Sequence, residues 1–181
     1  MKLEILSRTD KDFYEDSIID MLNVSDREFV PPLSKRSSTT QSDLSDRECS
    51  ESGIIKYYKE MKKQEILGAF ENGELIGIVS FRENYVCDVI AEDTLPNIYI
   101  STLVIKPEAR GKHLTSQMYD YLFNRLYPEK NVFTRTWSTN AAHTKILDSF
   151  GFCELYRRKN DRGAGIDTVY FVRKCREMAA V

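Results

Sequence analysis

The sequence predicts a mixed α/β domain, on three observations. Segments with the periodicity of strands and of helices follow one another in the order β-α-α-β-β-β-α-β-α-β-β. An Asn-Gly pair at 72–73 lies between two apolar runs, which is the strongest short-range signal for a hairpin. A hydrophobic strand stops at Pro107 and leads through a basic turn into an amphipathic helix. Because the chain shows no internal repeat and no clear boundary, we expect residues 1–181 to form a single domain.

The first third of the chain predicts one strand, one helix and a long loop. Residues 2–8 alternate as a strand does. Apolar positions from Asp12 to Leu22 have helical spacing, and Asp10 or Asp12 is the expected N-cap. Residues 34–52 are rich in Ser, Thr and Asp, which predicts a mobile loop. That loop is either a tolerated surface insertion or a lid that recognises a substrate.

The middle of the chain predicts a helix followed by a meander of strands. Helical spacing runs from 53 to 63, and strands at 65–70 and 74–81 flank the Asn-Gly turn. Residues 85–90 either extend the sheet or lie in a connection. A further strand is expected at 98–105.

The last third predicts two helices that alternate with strands. The apolar stripe of the first helix repeats at helical spacing, and the final strands are separated by a Gly-rich turn at 160–165. The predicted elements are a helix at 112–126, a strand at 132–137, a helix at 140–150 and strands near 152–158 and 166–173.

Composition excludes several classes of protein. The net charge is −2 with 30% charged residues, whereas a dedicated nucleic-acid binder normally carries a strong basic excess. No apolar run approaches the ~20 residues of a membrane-spanning helix, and the N-terminus lacks the apolar core of a signal peptide. The four cysteines are widely separated, which predicts free thiols in a reducing compartment, the cytoplasm, and no metal site. They are Cys49, Cys87, Cys153 and Cys175.

The basic turn after Pro107 is the most informative local feature. Arg110, Gly111 and Lys112 lie where the first backbone N–H groups of the next helix have no intrahelical partner. A helix N-terminus flanked by positive charge favours anions, phosphate above all. The turn therefore predicts a binding site for a phosphate or a pyrophosphate.

Residues 98–152 resemble the GCN5-related N-acetyltransferase (GNAT) superfamily. The first motif, L-x-V-x-P followed by R-G-x-G-x-G/A, is matched by Leu103, Ile105 and Pro107 and then by residues 110–115. The second, N-x-x-A-x-x-x-Y-x-x-x-G-F, is matched by Asn140 and the Gly-Phe pair at 151–152. The resemblance implies a central twisted, mixed and largely antiparallel sheet of six to seven strands with helices on both faces.

The resemblance also implies acetyl-CoA as co-substrate. Its pyrophosphate would lie on the amides of the basic turn, and its pantetheine arm along a strand that splays away from its parallel neighbour. The implied binding residues are Leu103, Val104, Ile105, Arg110, Gly111, Lys112, His113, Leu114, Thr115 and Asn140.

Three residues depart from the family pattern. His113 and Thr115 stand where cradle glycines are usual, although a residue with right-handed helical geometry at a helix start does not need to be glycine. Leu147 occupies the position of the frequent tyrosine general acid. A thiol has an ordinary pKa of ~8.5, so the loss of that acid weakens the mechanism without excluding it.

The implied reaction is direct attack of an amine on the acetyl thioester. The backbone N–H of Ile105 would stabilise the oxyanion. For the proton route, Ser101, Thr102 and Ser138 could hold a water, although an ordinary strand hydroxyl is the commoner role of each. The catalytic candidates are therefore Ile105 and Ser138. Glu83, Asp88 and Glu92 are possible bases that nothing in the sequence aims at the thioester.

The acceptor is expected to be a small-molecule or peptide amine. Residues 1–30 hold eight carboxylates against four basic side chains, which favours a cationic amine through long-range attraction or simply marks a solvated helix face. Trp137 could form a wall of the acceptor pocket or pack in the core, and His143 is expected to be exposed. Strands near the C-terminus could pair between subunits of a homodimer.

Two other functions stay open from the sequence. A catalytically inactive CoA-binding sensor or interaction domain would bind CoA without turnover, and a protein-interaction module would not bind CoA at all. His113, Thr115 and Leu147 are the residues that keep the inactive sensor open.

Overall fold

The computed structural model describes residues 1–42, 44 and 53–175. Seven strands form one sheet in the order β1-β2-β3-β4-β5-β7-β6, in which only the β4–β5 pair is parallel. The predicted mixed, largely antiparallel sheet is confirmed. The strands are β1 (Lys2–Ile5), β2 (Glu65–Glu71), β3 (Glu74–Glu83), β4 (Asn97–Ile105), β5 (Asn131–Trp137), β6 (Cys153–Arg158) and β7 (Thr168–Arg173).

Helices cover both faces of the sheet, as predicted. One core forms between the sheet and α2 and α3, and a second forms between the other face and α4 and α5. Each face of the sheet is buried because apolar side chains alternate along the strands. The helices are α1 (Arg8–Phe13), α2 (Glu15–Ser25), α3 (Gly53–Met61), α4 (Leu114–Tyr121) and α5 (Ala141–Ser149).

The N-terminal elements differ from the prediction in their boundaries. The first strand ends at Ile5, and the predicted single helix is two, α1 and α2. Ser7, not Asp10 or Asp12, is the N-cap of α1: its side chain accepts from the Asp10 N–H, and the Asp10 side chain accepts from the Ser7 N–H. This reciprocal capping box starts the helix four residues earlier than the apolar spacing indicates.

The described part of the predicted 34–52 loop packs against the protein. Arg36 and Thr39 are buried, and the Gln64 side chain donates to the Thr39 hydroxyl. The expectation of a loop confined to the surface is therefore wrong for residues 34–42, its mobility stays a prediction, and residues 43 and 45–52 lie outside the described chain. Polar side chains here find buried partners that local composition does not reveal.

The segment at 85–90 lies in the connection between β3 and β4. Tyr85 and Cys87 pack against a small core of Ile90, Tyr99 and Phe133. Of the two alternatives for this segment, the structure therefore has the connection, and it covers the β4–β5 pair from one side.

Strands β4 and β5 diverge halfway along their length. They pair from Asn97 and Asn131 to Ile100 and Thr134. Beyond that point β4 continues beside β3 as far as Ile105, and β5 continues beside β7 as far as Trp137. The Thr134 hydroxyl donates to the Ile100 carbonyl at 3.1 Å, where the ladder ends. The two strands thus enclose a V-shaped gap in the sheet.

Candidate functional site

A cleft of about 350 Å³ opens at the divergence of β4 and β5. Its walls are residues 100–105 of β4 and 134–137 of β5, and the starts of α4 and α5 close one end. The residues that the sequence predicts for cofactor binding and catalysis lie on these strands and in the segments that follow them. Most of these residues line the cleft.

Backbone amides of β4 face this cleft. The Lys106 N–H donates to the Ile76 carbonyl on β3. Because bonded pairs alternate along an antiparallel ladder, the amides of Val104 and Lys106 point to β3, and those of Leu103 and Ile105 point to the opposite edge. That edge borders the gap, so the Ile105 N–H is a donor directed into the cleft.

The turn before α4 presents further free donors. Gly111 has φ 75° and His113 has φ 57°, so His113 adopts the left-handed conformation and not the right-handed geometry assumed from the sequence. In the described chain no acceptor takes the N–H groups of residues 114–116, and the Thr115 side chain lines the cleft. Thr115 lies within the helix, where a glycine is not required.

The two cationic side chains of this turn, Arg110 and Lys112, already form exposed ion pairs. Arg110 contacts Glu28 at 2.8 Å and also donates to the Ile105 carbonyl at 3.1 Å. Lys112 contacts Glu71 at 3.3 Å. Exposed ion pairs of this kind contribute about 0–1 kcal/mol, so either cation can turn to a better anion at little cost.

Asn140 caps α5, as the family motif implies. Its side-chain carbonyl accepts from the His143 N–H at 3.2 Å, and its amide donates to the Thr136 hydroxyl at 3.1 Å. It lines the cleft while it holds the start of the helix against β5.

His143 and Tyr119 form a pair that sequence reasoning missed. The Tyr119 hydroxyl lies 2.8 Å from His143 Nε2. Burial lowers the pKa of His143 to about 4 and raises that of Tyr119. His143 lines the cleft and is neutral at neutral pH, so the expectation that it is exposed is wrong. No local pattern joins the two residues, because they are 24 positions apart on different helices.

The hydroxyls expected near the reaction have other partners. The Ser138 hydroxyl accepts from the Asp167 N–H at 3.0 Å and is outside the set that lines the cleft. Ser101 and Thr102 do line it, but Ser101 donates to Gln64 and Thr102 is bonded to the Tyr57 hydroxyl. A catalytic role for Ser138 stays a prediction, and its position favours a structural one.

Most of the carboxylates that the sequence offers as possible bases lie outside the cleft. Glu83 contacts Tyr127 and Lys130, and Asp88 contacts Arg158. Among the described residues, Glu28 is the carboxylate that lines the cleft, and it pairs with Arg110. Leu147, which replaces the family tyrosine, is fully buried in the core beneath α5.

Aromatic and basic side chains line the cleft on the side opposite to α4 and α5. Trp137 and Phe29 both line the cleft, and their ring centroids lie 5.8 Å apart. Of the two roles expected for Trp137, the structure therefore has the pocket wall. Arg36, Arg135 and Arg162 complete the wall. These arginines come from distant parts of the chain, and sequence reasoning did not find them.

The part of the chain that the structure describes offers no metal centre and no membrane span. Its His, Cys, Asp and Glu side chains form no cluster of three or more that could hold a metal ion. None of its helices combines the length and the apolar character needed to cross a bilayer.

Comparison with known proteins places the chain in a family. Among solved structures, an acetyltransferase of Salmonella typhimurium, yncA, with acetyl-CoA is 17% identical, with 100% of this chain and 97% of that chain covered and a TM-score of 0.64. An aminoglycoside 6'-N-acetyltransferase complexed with coenzyme A is 12% identical, with 99% and 100% covered and a TM-score of 0.68. A ribosomal-protein-alanine N-acetyltransferase of Brucella melitensis is 12% identical, with 96% and 99% covered and a TM-score of 0.65.

These structural similarities confirm the fold, and the sequence comparison identifies the family. No curated protein sequence gives a match. The sequence profile of the Acetyltransferase (GNAT) family matches residues 29–152, a stretch that includes β2 to β5, the basic turn and the whole of α5. The chain therefore belongs to the GNAT family of acetyltransferases.

Proposed function

We propose that this protein transfers the acetyl group of acetyl-CoA to an amine by direct attack in a ternary complex. The observation that carries the proposal is the cleft where β4 and β5 diverge, because it joins unpaired backbone donors to a helix N-terminus. Family membership and the acetyl-CoA and coenzyme A bound by two structural relatives support it. Acetyl-CoA supplies the activated acetyl group as a thioester.

The donor would bind along β4 and the turn that follows. The free N–H groups at the start of α4 suit the pyrophosphate, with Arg110 and Lys112 as exchangeable cations. The outward amides of β4 suit the amide groups of the pantetheine arm. The proposed binding residues are Leu103, Val104, Ile105, Arg110, Gly111, Lys112, His113, Leu114, Thr115 and Asn140.

Ile105 is the proposed catalytic donor. Its N–H points into the gap and costs no rearrangement when an oxyanion develops on the acetyl carbonyl. The acceptor amine, with an ordinary pKa of ~10.4 for a lysine-like group, must lose a proton before it attacks. With its depressed pKa, His143 is a weak proton acceptor, and its neutral ring suits a hydrogen bond to the departing sulfur.

Calorimetric titration with acetyl-CoA tests the donor site. The double variant Arg110→Glu, Lys112→Glu replaces two charge-assisted contacts with repulsion, so we expect affinity to fall by about a hundredfold or more. The matched control, Lys59→Glu, Lys63→Glu, reverses two exposed charges, one on α3 and one in the turn that follows it, and leaves binding unchanged. If the unmodified protein does not bind acetyl-CoA, the proposal is wrong.

Turnover separates the enzyme from the inactive CoA-binding domain. The buried Leu147 and the absence of a carboxylate from the described part of β5 are the observations that favour the inactive alternative. Release of free thiol on addition of an amine supports the enzyme. Binding of acetyl-CoA without thiol release across amine classes supports the sensor.

We further propose a single domain located in the cytoplasm. Seven strands from Lys2 to Arg173 make one sheet, which supports one domain over residues 1–181. Cys87, Cys153 and Cys175 are free thiols, which suits a reducing compartment. The exposed edge strand β6 offers an edge through which a homodimer could form.

A further inference from the structure

Three arginines that form no ion pair with any described residue lie on one wall of the cleft. Arg36 follows the short turn after Leu33, Arg135 lies on β5, and Arg162 lies in the β6–β7 connection. Arg36 is 5% exposed and Arg162 is 6% exposed. Burial of a charge is costly unless an opposite charge pairs with it. The buried guanidiniums of this wall therefore carry a free-energy cost that a bound anion would offset.

Within the described chain, these guanidiniums donate to neutral oxygens, and none of the three forms an ion pair. Each oxygen orients a guanidinium without neutralising it. The acceptors are the carbonyls of Val30, Pro31 and Gln41 and the hydroxyls of Tyr170 and Thr168.

The three charges repel one another. Burial first, and then the charges of Arg36 and Arg135, lower the pKa of Arg162 to about 9, and the opposing effects of Tyr99 and the nearby Asp161 carboxylate offset this only in part. Burial likewise lowers the pKa of Arg36. A guanidinium keeps its proton in proteins, so an anion placed among the three would relieve both the repulsion and the cost of burial.

The wall is distinct from the basic turn that is proposed to hold the donor. Arg110 at that turn pairs with Glu28. The three arginines instead lie over aromatic rings: Arg162 is 5.7 Å from the centroid of Trp137, Arg36 is 5.4 Å from that of Phe29, and Arg135 is 5.8 Å from that of Tyr170. Two anion sites thus open into one cleft.

We propose that the acceptor carries, besides its amine, an oxyanionic group bound by Arg36, Arg135 and Arg162. The group is a carboxylate or a phosphoryl group, because the guanidinium fork matches the geometry of both. This inference rests on the proposed function, since it specifies the second substrate of the same cleft. An anionic acceptor is the opposite of the cationic acceptor that the acidic N-terminal residues favour. The arginines decide between the two, because they line the cleft itself whereas the N-terminal charges act at long range.

Trp137 provides a local reporter, because it is the single tryptophan of the chain and lies in this wall. Its fluorescence is followed during titration with N-acetylglycine, with N-acetylglycinamide and with N-acetyl-aminomethylphosphonate. We expect the carboxylate or the phosphonate to bind about tenfold more tightly than the amide, or better. The two anions separate the carboxylate from the phosphoryl form of the proposal. Equal responses to acid and amide, or no saturable response to either anion, would overturn it.

Single variants locate the effect. We expect Arg36→Gln and Arg162→Gln each to weaken anion binding by about tenfold or more. Arg157→Gln removes a charge from the same hairpin outside the cleft, where Arg157 pairs with Glu154, and should leave anion binding unchanged. Equal losses in all three variants would show a general charge effect and contradict the proposal.

Acetyl-CoA titration of the same proteins distinguishes the two proposals. If the arginine variants bind acetyl-CoA as the unmodified protein does, they are folded and the donor site is intact, so a loss of anion binding belongs to the acceptor wall. If the protein binds acetyl-CoA but binds N-acetylglycine and N-acetylglycinamide equally well, only the inference about the acceptor fails. If acetyl-CoA does not bind and the anion does, the proposed function fails, and the arginine wall is an anion site that does not serve an acetyl acceptor.

Discussion

The left-handed turn before α4 predicts opposite effects of two substitutions. A Cβ at Gly111 would have no atom within 4 Å, so Gly111→Ala tests backbone conformation alone. At φ 75°, an L residue costs roughly 1–2 kcal/mol, and the reduced entropy of the unfolded chain returns about 0.4–1 kcal/mol. The expected net loss of stability is about 1 kcal/mol. His113, at φ 57°, bears the same strain, so His113→Gly should stabilise the protein by about 0.5 kcal/mol.

Urea denaturation and thermal denaturation, each followed by circular dichroism, measure both effects. For a chain of this size, about 1 kcal/mol corresponds to a shift of roughly 2–4 °C in Tm. Glu108→Ala, at an exposed position of the same turn, is the control and should be neutral. A neutral Gly111→Ala variant or a destabilised His113→Gly variant would show that left-handed strain does not set the stability of this turn. Acetyl-CoA should bind His113→Gly at least as tightly, because glycine lets a phosphate approach the backbone.

Two further predictions concern α5. An NMR titration should give His143 a pKa of about 4. Because the histidine of the unfolded chain protonates near 6.5, its contribution to stability should fall by on the order of 2 kcal/mol as pH drops from 6.5 towards 4. In urea denaturation, His143→Gln should remove this contribution and leave a shallower slope. Leu147→Tyr, at a fully buried position, should cost about 1–3 kcal/mol through overpacking without faster thiol release. A stable and faster Leu147→Tyr variant would show that the site accepts the family tyrosine.

Local signals in the chain predicted most of the fold. The hairpin at Asn72 and Gly73, the strand that ends at Pro107 and the helix after Asn140 each depend on residues within a few positions of one another. The capping box at Ser7 was also readable, but helical spacing alone misplaced the start of α1. The left-handed geometry of His113 was not readable, because closure of the turn onto α4 decides it.

The sequence by itself determined the basic turn and the order of elements apart from the division of the first helix into α1 and α2, because periodicity and turn chemistry act between near neighbours in the chain. Only the tertiary structure decided the cleft and its charge. The gap exists because β4 and β5 continue beside different partners after Ile100 and Thr134. The wall exists because packing brings Arg36, Arg135 and Arg162 together across more than a hundred positions of sequence. Burial and electrostatic repulsion are properties of that packing, and no local pattern encodes them.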